Sequence, residues 1–204
     1  VSAANATVTV RLPSGWLDID PRAEDLTAEV RRGAIAQWGD QVDLSVLDQA
    51  AAPMTAELRR LSAVAEVLLA GCYAEAIVGD DNEQPLVLTA NVVLAMTPPV
   101  SCLAEIRRGL AKRAGAGSTI VGVDLPAGPA VLAAEQVVLS HPEWTVRIPA
   151  AQRQYFLQID GSGKAAVLSF LTPNLDLADE FDAVFRAIAD TLTVTPLDHS
   201  GNGT

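Results

Sequence analysis

Apolar residues along this chain alternate with a period of two over most of the second half, and they repeat near every fourth residue in a few separate segments. TVTVRLPSGWLDID, Thr7 to Asp20, carries two short alternating runs around Pro13, Ser14 and Gly15, and this pattern predicts a β-hairpin. Asp20 before Pro21 reads as a helix N-cap followed by a first-turn proline, with Leu26, Val30, Ala34 and Trp38 on one helical face. Beyond the less regular DQVDLSVLDQ, the positions Met54, Leu58, Leu61, Ala65 and Leu68 predict a second helix, ended by Gly71. CYAEAIVG and PLVLTANVVLAM then alternate as two strands around the polar turn DDNEQ, and Pro98 and Pro99 close the second. Val100 to Arg113 reads as a helix with Leu103, Ile106 and Leu110 facing inward. Its last two turns gather Arg107, Arg108, Lys112 and Arg113, which suit the negative end of the helix dipole.

The stretch AGAGSTIVGVDLPAGPA, Ala114 to Ala130, looks at first like a phosphate-binding loop. Such a loop needs the order strand, glycines, helix, so that the helix N-terminal N–H groups meet the anion. Here a helix precedes Gly115 and Gly117 and a strand follows them, and Ile120 stands where a third glycine is required. The segment is therefore expected to end a helix and form a hairpin, STIVGVDL returning through PAGP into AVLAAEQVVL. DGSGKAA, Asp160 to Ala166, fails as a Walker loop because Gln158 and Ala165 occupy its glycine and hydroxyl positions, so it reads as the tip joining RQYFLQI to AVLSFLT. A final helix is predicted after TPN, capped by Asp176, with Leu177, Phe181, Val184, Phe185, Ile188 and Leu192 in one apolar stripe. The element order ββαα ββα ββββα predicts an α+β fold, an antiparallel sheet of hairpin-linked strands covered by helices. It is expected to form a single domain over residues 1–196, followed by a disordered tail at 197–204.

Composition narrows the function. Aromatics are only 4% of the 204 residues, so the core must be aliphatic. The excess of 25 acidic over 14 basic side chains, a net charge of −11, disfavours nucleic acid and anionic lipid surfaces as partners. Leu61 to Gly79 is the most apolar stretch, but Glu66 and Glu75 fall inside it, so no stable membrane insertion is expected. No export signal is visible, and Cys72 and Cys102 form no metal-binding or disulfide pattern. A cytoplasmic protein with reduced thiols is the expectation, while a leader removed before Val1 stays open.

Chemistry is hard to find. His141 and His199 are the only imidazoles, and neither belongs to a metal-ligand spacing or to a nucleophile-base arrangement. The acidic DDNE, Asp80 to Glu83, lacks the oxygen pattern and glycine of a calcium loop. Asn5 and Asn202 lie in glycosylation sequons that matter only in a glycosylating compartment. No catalytic, cofactor-binding or metal-ligating residue is assigned and no cofactor is expected. Carboxylates brought together by folding are the remaining route to catalysis.

Finally, DLPAGPAVLAAEQ and QRQYFLQIDGSGKAAVLSFLTPNLDLADEFDAVFRAIADTL resemble the ending of PsbP-like α/β/α sandwich proteins of actinobacteria, LpqN-type lipoproteins among them. The resemblance rests on Pro126 and Gly128 in a turn, Tyr155 and Phe156, Phe170, the Thr172-Pro173 step, and the stripe from Phe181 to Leu192. It covers roughly the last 90 residues, with LPSGWLDID as further support. It implies a non-catalytic accessory protein that docks on a larger assembly, with a bacterial secretion or cell-envelope system as the context. The lipidated N-terminal cysteine of the lipoprotein members is missing from the sequence. A second reading is a binder of small apolar ligands or lipids, using a pocket near Trp38, Tyr73 or Trp144. An exposed edge strand would also permit a homodimer.

Overall fold

The computed structural model describes residues 6–38, 54–77, 86–100, 102–139, 147–160 and 162–196. The elements are β1 (Ala6–Thr9), β2 (Trp16–Ile19), α1 (Leu26–Trp38), α2 (residues 54–62), β3 (Glu66–Ile77), β4 (Leu86–Met96), α3 (Leu103–Arg113), β5 (Thr119–Leu125), β6 (Gly128–Leu139), β7 (Ile148–Ile159), β8 (Lys164–Thr172), a 3-10 turn at Leu175–Leu177, α4 (Ala178–Ala189) and β9 (Thr193–Pro196). Seven strands make one antiparallel sheet in the order β2-β3-β4-β8-β7-β6-β5. The expected α+β architecture is the observed one, a sheet sandwiched by helices.

Alternation along the strands, interrupted in β3 by a register shift between Val67 and Leu69, divides the core in two. Ala90, Val92 and Leu94 of β4, Leu168 and Phe170 of β8, and Tyr155 and Leu157 of β7 point to the face covered by α4. Phe181, Phe185, Ile188 and Leu192 close that face, with the Phe170 and Phe185 rings stacked at 4.7 Å. On the opposite face Val30 and Ala34 of α1 and Met54, Leu58 and Leu61 of α2 cover Leu17, Ile19, Ala70, Cys72 and Val93. The hairpins β3–β4, β5–β6 and β7–β8 fall where the alternation places them. Gly128 turns the second of these at φ 130° and Gly163 the third at φ 65°.

Several boundaries differ from the expectation, each for a local reason. The Thr7–Asp20 hairpin does not form: β1 pairs with β9, and β2 pairs with β3. The turn residues there do make a bend, the Trp16 N–H donating to the Pro13 carbonyl at 3.3 Å, but it delivers β2 to the sheet edge. Asp20 does not cap α1. Its carboxylate accepts from the Arg22 N–H at 2.9 Å in a tight turn, and Asp25 takes the cap by accepting from the Ala28 N–H at 3.0 Å. Asp176 likewise lies within the 3-10 turn, and no side chain caps α4. The third helix starts at Leu103 rather than Val100, and it buries none of its residues: Leu103, Ile106 and Leu110 are only half covered. The DDNEQ turn, DQVDLSVLDQ and the tail at 197–204 lie outside the described residues.

Gly71 does not end a helix. The second helix stops at residue 62, and Gly71 sits inside β3 between Asp18 and Val92. A Cβ there would lie 2.6 Å from Leu12 Cδ1, 3.0 Å from the Leu17 carbonyl and 3.2 Å from Val92 Cγ1. Glycine is thus what lets Leu12 and β2 lie flat on the sheet. Gly71→Ala is expected to destabilise by roughly 1–3 kcal/mol through this overpacking, partly offset by about 0.4–1 kcal/mol from the stiffer unfolded chain. Urea denaturation of the two proteins gives the difference.

Candidate site: a groove with a polar floor

The half-covered helix α3 leaves room beneath it. A groove of about 420 Å³ runs between α2, α3 and the strands β5 to β8. Its walls are apolar, formed by Leu61, Val64, Leu110, Ile120, Phe156 and Val167, and on its floor Ala133, the partner of Gln154, presents only a methyl group. Polar groups are concentrated where the groove meets α2 and the start of β5: Arg60, Arg113, Ser118, Thr119, Glu135 and Gln154.

Under this end lies a buried hydrogen-bonded network. Glu57, 3% exposed, projects from α2 onto the sheet. Its Oε1 accepts from Ser169 Oγ at 2.5 Å, from Gln152 Nε2 at 3.1 Å and from Arg60 Nη2 at 2.8 Å, while Oε2 accepts from Arg60 Nε at 2.8 Å. Gln154 Nε2 donates to Ser169 Oγ at 3.2 Å. The strand period produces this cluster. Gln152 and Gln154 lie two apart on β7, Ser169 is the partner of Gln154 on β8, and Glu135 is the partner of Gln152 on β6, so all four share the face under α2. The hydrogen bonds that Arg60 donates to Glu57 hold it more firmly protonated than a free guanidinium, although burial works the other way, and Glu135 adds to the attraction. Ser118 Oγ donates to Glu135 Oε2 at 3.3 Å. The mouth therefore presents guanidinium donors, a carboxylate acceptor and the Ser118 hydroxyl beside an apolar trough.

A second cleft, about 450 Å³, lies on the α4 face between Pro13, Trp16, Tyr73, Leu88, Leu177, Phe181 and Val184. Tyr73, expected to line a pocket, does so here. Burial and then the hydrogen bond it donates to Glu75 push its phenol up to about 12. Trp144, the side chain of Trp38, His141, His199, Asp80 to Glu83, Asn5 and Asn202 lie outside the described residues. Among the described residues no group of three potential metal ligands converges, and no helix is long and apolar enough to cross a membrane.

The residues that carried the family resemblance do structural work. Tyr155 and Phe170 meet edge to face at 6.1 Å in the core, and Gly128 supplies the turn. Thr172 Oγ donates to the Thr89 carbonyl at 2.7 Å, and Asn174 beyond Pro173 bridges the Thr89 N–H and the Val87 carbonyl, both at 2.8 Å, locking β8 to β4.

Both cysteines are free, Cys72 buried and Cys102 half-buried. Burial pushes the Cys72 thiol from 9.0 up to about 12. Folded protein is expected to react with a thiol reagent at Cys102 only, and at both positions once denatured, a difference read by mass spectrometry. Because the folded value is raised, the neutral thiol's contribution to stability is full below about pH 9 and is lost as the pH rises toward 12. Cys72→Ala is expected to flatten that alkaline decline.

No family model matches the chain, and no curated protein matches it. Among solved structures it is similar to the crystal structure of LpqN, involved in cell envelope biogenesis of Mycobacterium tuberculosis. The two share 14% identity over 96% of this chain and 87% of that one, with a TM-score of 0.45. At that distance the likeness assigns no residue a role. The fold rests on its own strand order and register.

Proposed function

We propose that the chain is a non-catalytic binding protein that holds a small amphiphile in the groove under α3, an alkyl chain in the trough and a hydroxyl-rich head at the polar mouth. One observation carries the reading: a saturated buried network around Glu57 stands at the end of an otherwise apolar groove. A fully buried sheet and helix contact gains nothing in stability from such a cluster over well-packed apolar side chains, and polar groups of this kind at the rim of an apolar cleft are what orients a ligand. Donors on Arg60 and Arg113 and the acceptor on Glu135 stand together at the mouth, a mixture that complements hydroxyl groups, which both donate and accept, better than a single charge. The wider role, an accessory protein of a bacterial secretion or cell-envelope system, is carried by the sequence resemblance to PsbP-like proteins.

The test is calorimetric titration with a dodecyl glycoside below its micellar concentration, with dodecanoate and dodecylammonium as comparisons. Saturable binding strongest for the glycoside is expected. Val64 is exposed and lines the groove, so Val64→Glu is expected to weaken that binding about tenfold, the effect of a desolvated charge against an alkyl chain. Absence of saturable binding by all three amphiphiles rules the reading out.

A further inference from the structure

The sheet ends in an unguarded strand. β5 is seven residues long and stands at the outer edge, paired only with β6 among the described residues. Edge strands are normally blunted by lysine, proline, a bulge or a covering element, because their free N–H and C=O groups invite another strand. Thr119-Ile120-Val121-Gly122-Val123 carries no charge and no proline, and its register with β6 runs without a bulge. Thr119, Val121 and Gly122 are exposed, and a Cβ on Gly122 would meet nothing within 4 Å. Among the described residues only the far end is closed, where Arg186 Nη2 donates to the Asp124 carbonyl at 2.7 Å.

The charge beside this edge is opposite to that of the whole molecule. The helix α3 packs across β5, β6 and β7 and carries Arg107, Arg108, Lys112 and Arg113 against the single carboxylate Glu105, in a chain of net charge −11. None of these four cations makes an ion pair among the described residues. A second copy of this chain would set a second cationic α3 against the first, so self-pairing through this edge is electrostatically opposed. An acidic strand is favoured by the same local charge.

We propose that β5 is a docking edge for an extended, carboxylate-rich segment of another protein, which adds as an eighth strand and sets its acidic side chains against α3. The edge adjoins the groove and shares Thr119, Ile120 and Arg113 with its lining, but Val121, Arg107, Arg108 and Lys112 lie outside that lining, so variants at those four positions test the edge separately from the groove.

The probes are synthetic seven-residue peptides, matched to the length of β5: alternating Thr and Glu, alternating Thr and Lys, and the Glu peptide interrupted by proline. Fluorescence anisotropy is expected to show the Glu peptide binding at least about tenfold more tightly than the other two, with affinity falling as salt rises. Hydrogen exchange is expected to slow at β5 amides on binding. Val121→Lys, which places a charge on the edge, is expected to weaken binding about tenfold. Should that variant fold poorly, the surface reversal of Arg107, Arg108 and Lys112 to Glu tests the same point and should invert the preference to the Lys peptide. Equal binding of the Glu and Lys peptides, protection away from β5, or a concentration-dependent dimer that protects β5 would each overturn the assignment.

Discussion

Phe185→Ala is expected to lower the unfolding free energy by about 3–5 kcal/mol, the range for truncating a fully buried aromatic ring. Phe185 has no solvent exposure and sits at the centre of the α4 face. Its ring stacks on Phe170 at 4.7 Å with a 15° interplanar angle and lies 5.7 Å from Phe181, so removal leaves a cavity between a helix and a sheet that cannot easily close toward each other. Few other rings are available to fill it, because aromatics make up only 4% of the chain. Val184, one position along the same helix, is 37% exposed, and Val184→Ala is expected to change stability by less than about 0.5–1 kcal/mol. The pair of variants, measured by urea denaturation at constant m-value, isolates burial from helix propensity. A loss at Phe185 no larger than that at Val184 would mean that α4 does not close this core.

That helix was the most legible element of the sequence, because an uninterrupted stripe of large apolar residues at helical spacing admits one burial direction. The hairpins β3–β4, β5–β6 and β7–β8 were legible for a related reason: alternation fixes a face, and in the last two a glycine turn fixes where the chain reverses. What escaped depends on distant partners. β1 joins β9 across nearly the whole chain, and nothing within Thr7 to Asp20 distinguishes that pairing from a hairpin with β2. The run Val64 to Leu69 satisfies a helical and a strand period equally, so the end of α2 was placed too late, at a glycine kept for close packing. The junction of β4 with β8, which unites the two halves of the sheet, has no local signal.

The groove was not legible as a site, although part of its floor was. Gln152 and Gln154, two apart in a strand whose neighbours on that face are Ala150 and Phe156, are polar residues on a buried face, and that inconsistency is a usable signal of a special environment. Glu57 beside Leu58 and Leu61 is the same kind of signal on a helix. Their convergence requires β7, β8 and α2 to be assembled, which spacing alone cannot supply.

Arg60→Ala is expected to cost about 3–5 kcal/mol, the range for stranding one member of a buried ion pair, and more than Glu57→Gln despite the greater exposure of the arginine. The two side chains are unequal in what they leave behind. Arg60 is 51% exposed and can turn its guanidinium to water, whereas Glu57 at 3% cannot. Without Arg60 the carboxylate keeps only the Gln152 and Ser169 donors, both at Oε1, and Oε2 has no other donor among the described residues. Glu57→Gln retains an oxygen for those two donors and removes the stranded charge, so about 1–3 kcal/mol is expected, the cost of one mismatched buried polar group. The sign of the coupling is the sharper test: the double variant Glu57→Gln with Arg60→Ala should be more stable than Arg60→Ala alone, since neutralising the stranded carboxylate relieves most of its penalty. Titration of the Arg60 guanidinium itself should weaken the pair only in strong alkali. Its folded value is raised, so the contribution is full below the unfolded value and lost only above it. Additive losses in the cycle would show that Glu57 and Arg60 act independently, and the polar end of the groove would then lack the rigid support that orienting a ligand head requires.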